Sequence, residues 1–313
     1  MTAPAKIDIG ASHRARIGCS KIAQALGISL HGTQFQLWEC YTTRAPWPDF
    51  RNQLRVALGE PMEDVLRPFV AERLGRDLRR DRKEYRHEWL PLIGHVDYRA
   101  SAIEGEKQRP VVDMKTSLGW GARNRFGADG TDEVDDDVLL QMQGYLMLTG
   151  AQTAYVAALV PGPELKIFPV QADLEIHTMI GEGLENFWWH VTSDTPPEIT
   201  TNADAARRWA QHSAGITATA DAAALAILDD LRAAKARAKA DEQERDALEL
   251  ALKLRIGEAE ALLGADGKPL CTWKTQSRSQ MDTTRFKAGY PELYSEYTKT
   301  TTIRVLRLKG EKA

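Results

Sequence analysis

The chain has 313 residues, 43% of them apolar and 27% charged, with a formal net charge of -3 and a pI near 6.2. That length allows one large domain with an appendage, or two domains. The balance is not that of a simple basic nucleic-acid coat, although a local patch and bound cations are enough for an enzyme that works on nucleic acid.

Three cysteines, Cys19, Cys40 and Cys271, are odd in number and far apart. They exclude a disulfide framework, a four-thiolate zinc site and a four-cysteine iron–sulfur cluster. No apolar run approaches the ~20 residues that span a bilayer, and the N-terminus has no signal-peptide core. The expectation is a soluble protein of a reducing cytosol, with no membrane partner.

In chain order, a helix is expected from just after Gly18 to Leu26, closed by Gly27, and another from Thr33 to Tyr41. A third should run from about Asn52 to Leu74, where apolar residues recur at three- and four-residue steps. Pro61 and Pro68 lie inside it, so a break is expected near Gly59–Pro61. From Leu90 to Lys115 the period changes to strand, turn, strand, with Asp97 after the first and Asp113 within the second. Leu139 to Leu148 reads as a helix with Gly150 at its end, preceded by an acidic run that suits a helix N-terminus. Strands at 154–160 and 165–170 follow, then a helix over 173–190 with Trp188 and Trp189 set against the core. Together these make an α/β unit over residues 1–194.

Residues 195–220, rich in Pro, Thr and Ala, read as a linker. Residues 221–263 should form a long charged helix or a helical hairpin with a narrow apolar stripe. The segment 264–313 starts with a tight turn and reads as a small basic α+β segment: a strand at 270–274, helices near 283–288 and 291–297, and a strand at 303–308. From Lys268 onward there are ten Lys/Arg against four Asp/Glu.

The chemistry concentrates at Asp97 and Asp113-Met-Lys115. Asp113 and Lys115 are two apart on a strand and leave the same face. A strand reversal can bring Asp97 beside Asp113, and two carboxylates ~5 Å apart repel by roughly 3 kcal/mol at an effective dielectric of about 20. A hard divalent cation, Mg²⁺ or Mn²⁺, resolves that repulsion. Lys115 would orient or deprotonate a water, or stabilise the transition state. Glu63 would add a carboxylate, and Gln141 and Gln143 would position water or phosphate. His95, beside Asp97, reads as a bystander. Taken alone, Asp-x-Lys is a weak signal.

Several ordered motifs strengthen it: Arg16-Ile-Gly-Cys-Ser-Lys-Ile22, Leu37-Trp38-Glu39, Gly59-Glu-Pro-Met-Glu63, Gly94-His-Val-Asp97, Asp113-Met-Lys115, and Gln141-Met-Gln-Gly-Tyr145 followed by Thr149-Gly150. In this order they resemble the YqaJ/lambda-exonuclease family of viral recombination nucleases, in the PD-(D/E)xK superfamily, over roughly residues 12–190. Val96 stands where that family often has proline, and Asp113 where it more often has glutamate.

The resemblance implies a restriction-endonuclease-like core, a central mixed sheet flanked by helices. It also implies a 5′-to-3′ exonuclease on double-stranded DNA ends, with two Mg²⁺ ions for which Mn²⁺ substitutes. Asp97 and Asp113 would be metal ligands, Glu63 a nearby carboxylate, Lys115 the catalytic lysine and Gln141 an active-site glutamine. Ser20 with Arg14 or Arg16 would hold the 5′-phosphate, a role that also suits a hydroxyl and a cation near a helix start. Ser20 as a plain helix cap is the competing reading.

The family setting implies a phage or prophage protein in a bacterial cytoplasm, a single-strand annealing protein as partner, and a homo-oligomer in the form of a trimeric ring. The tail residues Lys274, Arg278, Arg285 and Lys287, interleaved with aromatics, suit DNA contact. A small packed domain with an aromatic core explains them equally well. An endonuclease on the same core and a non-catalytic DNA-binding recombination module are the alternatives.

Overall fold

A computed structural model describes residues 15–48, 54–117 and 125–309. The chain divides into two units, one ending at Arg208 and the other running from Trp209.

The first unit begins with a short strand β1 (Ile17–Gly18), a 3-10 turn (Cys19–Lys21) and helix α1 (Ile22–Ala25). Helix α2 (Gln34–Tyr41) starts with a reciprocal cap in which the Thr33 and Gln36 side chains bond each other's backbone. The expected break in the third helix falls at Leu58, between α3 (Leu54–Ala57) and α4 (Gly59–Leu74). Pro61 lies in the first turn of α4, where its missing N–H costs little, and Pro68 is carried inside the helix.

Two short strands follow that periodicity could not reveal, β2 (Leu78–Arg80) and β3 (Glu84–Arg86). Then come β4 (Leu92–His95), β5 (Tyr98–Ala100) and β6 (Val111–Thr116). Helix α5 (Asp136–Thr149) is capped by the Asp135 carboxylate and closed by Gly150 in the left-handed region. Strands β7 (Thr153–Val160) and β8 (Glu164–Gln171) and helices α6 (Leu174–Thr192) and α7 (Asn202–Arg208) complete the unit. Helix α7 lies in the stretch read from sequence as linker. Its Arg207 bonds Glu39 at 2.7 Å, and its Asp204 is fully buried.

Five strands form a mixed sheet in the order β2-β5-β6-β7-β8. Strands β6 and β7 are parallel, joined across α5, and the other neighbours are antiparallel. A smaller sheet has the order β1-β4-β3. Helices cover both faces of the large sheet. On one face Leu66 and Val70 of α4 pack with Tyr98, Val112 and Met114. On the other Val111 joins Ile22, Trp38, Met142, Leu146, Leu184 and Phe187 from α1, α2, α5 and α6. The expected mixed sheet flanked by helices is therefore present. Trp188 packs against this core, but Trp189 is 54% exposed, because α6 turns only one stripe inward.

In the second unit, α8 (Ala222–Ile256) is one continuous helix of 35 residues ending at Gly257, and no hairpin forms. It is followed by a two-stranded antiparallel ribbon, β9 (Ala261–Leu263) and β10 (Pro269–Thr272), and helices α9 (Thr283–Gly289) and α10 (Pro291–Glu296). The strand expected at 303–308 does not form. Its residues pair with no neighbouring strand, and an isolated extended segment has nothing to satisfy its backbone. Among the described residues of this unit Ile256 is the one buried side chain, so its aromatics build no core. No helix among the described residues is long and apolar enough to cross a membrane.

Candidate active site

The two sheets meet at Asp97, which lies between β4, in the small sheet, and β5, in the large one. The Met114 N–H donates to Asp97 Oδ2 at 3.2 Å, which holds that carboxylate against β6. On β6 the pleat sends Val112 and Met114 toward α4 and leaves Asp113 and Lys115 on the α5 side with Val111. Lys115 Nζ is 2.8 Å from Asp113 Oδ2 and donates to Gln141 Oε1 at 3.0 Å, and Gln141 Nε2 in turn donates to Tyr145 Oη at 2.9 Å. Glu63 approaches from the first turns of α4, with Arg80 at 3.4 Å.

Two motif glycines make this convergence sterically possible. A Cβ on Gly94 would meet Cys19 Sγ at 2.9 Å, and one on Gly144 would meet Ile22 Cδ1 at 2.4 Å. The bare backbones of β4 and α5 thus close around Cys19. That thiol is buried, donates to the Ile93 carbonyl at 3.4 Å, and has its pKa pushed far up by burial.

The cluster is electrostatically strained. Burial, then Asp113, then Glu63 raise the Asp97 carboxyl well above the usual range. Burial pushes Glu63 up to about 6; Arg80 opposes the shift, while Asp113 and Glu60 add to it. For Lys115 burial alone would favour the neutral amine, but Asp113 and Asp97 outweigh it and raise the pKa. These mutual influences place Glu63, Asp97, Asp113 and Lys115 in one electrostatic group.

The donor set fits a hard divalent cation in one respect. Asp113 Oδ2 is buried and, despite the nearby ammonium, accepts no hydrogen bond of good geometry among the described residues. A divalent cation would give that oxygen a ligand bond beyond its ion pair with Lys115. Among the described residues no three His, Cys, Asp or Glu side chains converge closely enough to hold an ion by themselves. Solvent or substrate oxygens would have to share the coordination, as Mg²⁺ commonly requires.

Beside this group opens a cavity of about 730 Å³ whose lining includes Lys115 and Gln141 together with Ser20, Lys21, Arg125 and Arg207. The three carboxylates are not part of its wall. Lys21, Arg125 and Arg207 were not singled out in the sequence: Lys21 lies within the first motif without being one of its marked positions, Arg125 and Arg207 stand outside the motifs, and the fold brings all three to the cavity. Lys21 directly follows Ser20, and its ammonium pKa is lowered by burial. Arg125 is ion-paired with Asp135, the cap of α5.

Other expected residues are placed differently. Arg16 donates from Nη1 to the carbonyls of His87 and Leu90, both at 3.1 Å, and so ties β1 to the loop before β4 rather than facing the cavity. Arg14 lies outside the described residues. Ser20 is exposed at the cavity and caps neither the 3-10 turn nor α1. Gln143 is buried, donating to the Gln171 carbonyl and accepting from the Asp173 N–H, so it braces α5 against β8 instead of positioning water. His95 Nε2 lies 3.4 Å from Glu84. In the tail, Lys274 pairs with Glu260 at 3.3 Å and Lys287 sits over the Tyr294 ring, while Arg278 and Arg285 are exposed.

Residues 10–152, which carry all of the motifs, match the model of the YqaJ-like viral recombinase domain. Over these residues the chain is similar to the YqaJ family. The likeness continues beyond it: the uncharacterized protein YqaJ of Bacillus subtilis (strain 168) is 24% identical over 302 residues, covering 95% of this chain and 92% of that protein. The YqaJ likeness therefore includes the second unit. Among solved structures, an alkaline exonuclease (LHK-Exo) from Laribacter hongkongensis aligns with a TM-score of 0.46 at 11% identity, over 59% of this chain and 91% of its own. A phage-related exonuclease from Haemophilus somnus 129PT aligns at 0.43 with 14% identity, over 57% and 96%.

Proposed function

We propose that this YqaJ-like chain is a divalent-metal-dependent nuclease that shortens double-stranded DNA from its ends, in the 5′-to-3′ direction. The observation that carries this reading is the single electrostatic group of Glu63, Asp97, Asp113 and Lys115, opening through Lys115 and Gln141 onto a cavity lined by Lys21, Arg125 and Arg207. Carboxylates that repel one another beside cations that attract phosphate suit phosphodiester hydrolysis better than passive binding.

Asp97 and Asp113, with Glu63 close by, would hold Mg²⁺ or Mn²⁺. A bound divalent cation supplies Lewis acidity toward a phosphoryl oxygen. The chain's own residues do the rest. Lys115, held charged by Asp113 and Asp97 and oriented by Gln141, donates toward charge developing on the scissile phosphate. That favours its role as donor over that of base. Lys21, Arg125 and Arg207, with the Ser20 hydroxyl, receive the end of the strand through charge-assisted hydrogen bonds. Single strands left behind are the substrate of an annealing protein.

The test incubates the full chain and Mg²⁺ with a linear duplex, carrying either a 5′-phosphate or a 5′-hydroxyl, and with a closed circular duplex. The reading expects mononucleotides from the linear substrate, faster from the phosphorylated end, and an intact circle. A cleaved circle would point to an endonuclease. No release from either substrate would remove the enzyme assignment.

A further inference from the structure

Glu63 differs from the rest of its electrostatic group in where it comes from. Asp97, Asp113 and Lys115 lie on or between strands of the sheets, whereas Glu63 lies on a helix, in the second turn of α4. Its distance from the others therefore depends on how α4 is seated. The apolar contacts of α4 with the sheet, through Leu66 and Val70, come later in the helix. Around Glu63 itself, α4 meets the sheet through Arg80.

Arg80 and Tyr98 sit directly opposite each other on the antiparallel strands β2 and β5, so both side chains leave the face that α4 covers. Glu60, Glu63 and Asp64, spaced i, i+3 and i+4 on α4, turn one helix face toward them. The guanidinium divides its contacts between its two ends. Nη2 donates to Tyr98 Oη at 2.8 Å and to Asp64 Oδ1 at 3.0 Å, and Tyr98 Oη donates to the same Asp64 oxygen at 2.9 Å. Nη1 lies 3.4 Å from Glu63 and 3.5 Å from Glu60. A planar fork held at one nitrogen by a closed triangle of hydrogen bonds has its other nitrogen fixed in direction. The two residues that hold it each directly follow a carboxylate of the site, Asp64 after Glu63 and Tyr98 after Asp97. Their hydrogen bond thus ties the backbone that carries Glu63 to the backbone that carries Asp97.

We infer that Arg80, held by Asp64 and Tyr98, is a positioning residue that sets the separation of Glu63 from Asp97, and with it the strength with which the site holds a divalent cation. The inference rests on the metal reading of the site proposed above. None of the three is needed as a ligand; they act through Glu63. Removing the Arg80 charge would by itself favour a cation, so the informative changes keep that charge.

The test is calorimetric titration of Mn²⁺ into the full chain, with thermal denaturation of each variant to follow stability separately. Tyr98→Phe removes one hydroxyl, and Arg80→Lys keeps the charge but not the fork. Each is expected to bind Mn²⁺ about threefold to tenfold more weakly than the wild type, the equivalent of one hydrogen bond. In a Glu63→Gln background, Tyr98→Phe should change the affinity little further, because the group it acts on is gone. Glu106→Gln removes the charge opposite Arg76, a pair at 2.7 Å near the other end of the same two strands, and should lower stability without weakening Mn²⁺ binding. Wild-type affinity in either Tyr98→Phe or Arg80→Lys overturns the inference and leaves the metal reading intact. It is also overturned if Tyr98→Phe weakens binding as strongly in the Glu63→Gln background as in the wild type, or if Glu106→Gln weakens it equally. A wild-type chain that binds no Mn²⁺ removes the metal reading and this inference with it.

Discussion

At the scale of single residues, Glu63 and Lys115 belong to one group of buried charges, and both have raised pKa values. Burial raises the Glu63 pKa from 4.5 to about 6 in the fold. A carboxyl with a raised folded-state pKa stabilises the fold while it is protonated. Its contribution is full below about 4.5 and is lost as pH rises through about 6. The loss is about 2 kcal/mol from Glu63, and Asp97 acts in the same direction. Thermal denaturation in EDTA should therefore show stability falling over that interval, and a smaller fall for Glu63→Gln. An unchanged profile in that variant would show that Glu63 is not under the assigned strain. Lys115 compensates the same carboxylates. Lys115→Met should cost up to about 3 kcal/mol, the low end for breaking a buried pair, because the side chain retains some solvent contact. Combining it with Asp113→Asn should cost less than the two changes summed, since the second removes the charge left unpaired by the first. Strict additivity in urea denaturation would contradict the pairing.

Among the elements, the packing of α5 against α1 and the 3-10 turn decides whether the site assembles. Gly144→Ala puts a methyl 2.4 Å from Ile22 Cδ1 and 3.1 Å from Cys19 Sγ. The expected cost is about 1–3 kcal/mol in urea denaturation, partly recovered by Ile22→Val, which removes the opposing methyl. Equal stability of Gly144→Ala and wild type would mean that the contact is not close. Much of this layer was legible in advance. The apolar spacing of α4, the glycine closing α5 and the Asp113/Lys115 alternation on β6 are local signals, and local signals survive in a single sequence. What was missed is non-local. Strands β2 and β3 are three residues each, too short for a period to show. Arg16 belongs to a phosphate-like motif but is drawn off by the carbonyls of His87 and Leu90, seventy residues and more away. Lys21, Arg125 and Arg207 reach one cavity from three distant stretches, a convergence that spacing cannot express. Gln143 differs from Gln141 by two residues on a helix, which turns it away from Lys115 and into the core.

For the molecule as a whole, the boundary of the first unit has a measurable consequence. Helix α7 contributes an Arg207–Glu39 pair at 2.7 Å, and the Thr201 hydroxyl just before it accepts from the Asp204 N–H at 3.1 Å. A fragment ending at Arg208 should melt close to the corresponding transition of the full chain, whereas one ending at Asp194 should melt several degrees lower, since losing about 1 kcal/mol shifts a domain of this size by roughly 2–4 °C. Equal melting of the two fragments would return α7 to the role of a linker. The most direct test of the central claim is release of nucleotides from an end-labelled linear duplex in Mg²⁺, comparing wild type with Asp113→Asn and Lys115→Met, each checked for folding. The account predicts release by the wild type and a loss of at least about a hundredfold in both variants. Undiminished release by folded Asp113→Asn would contradict it.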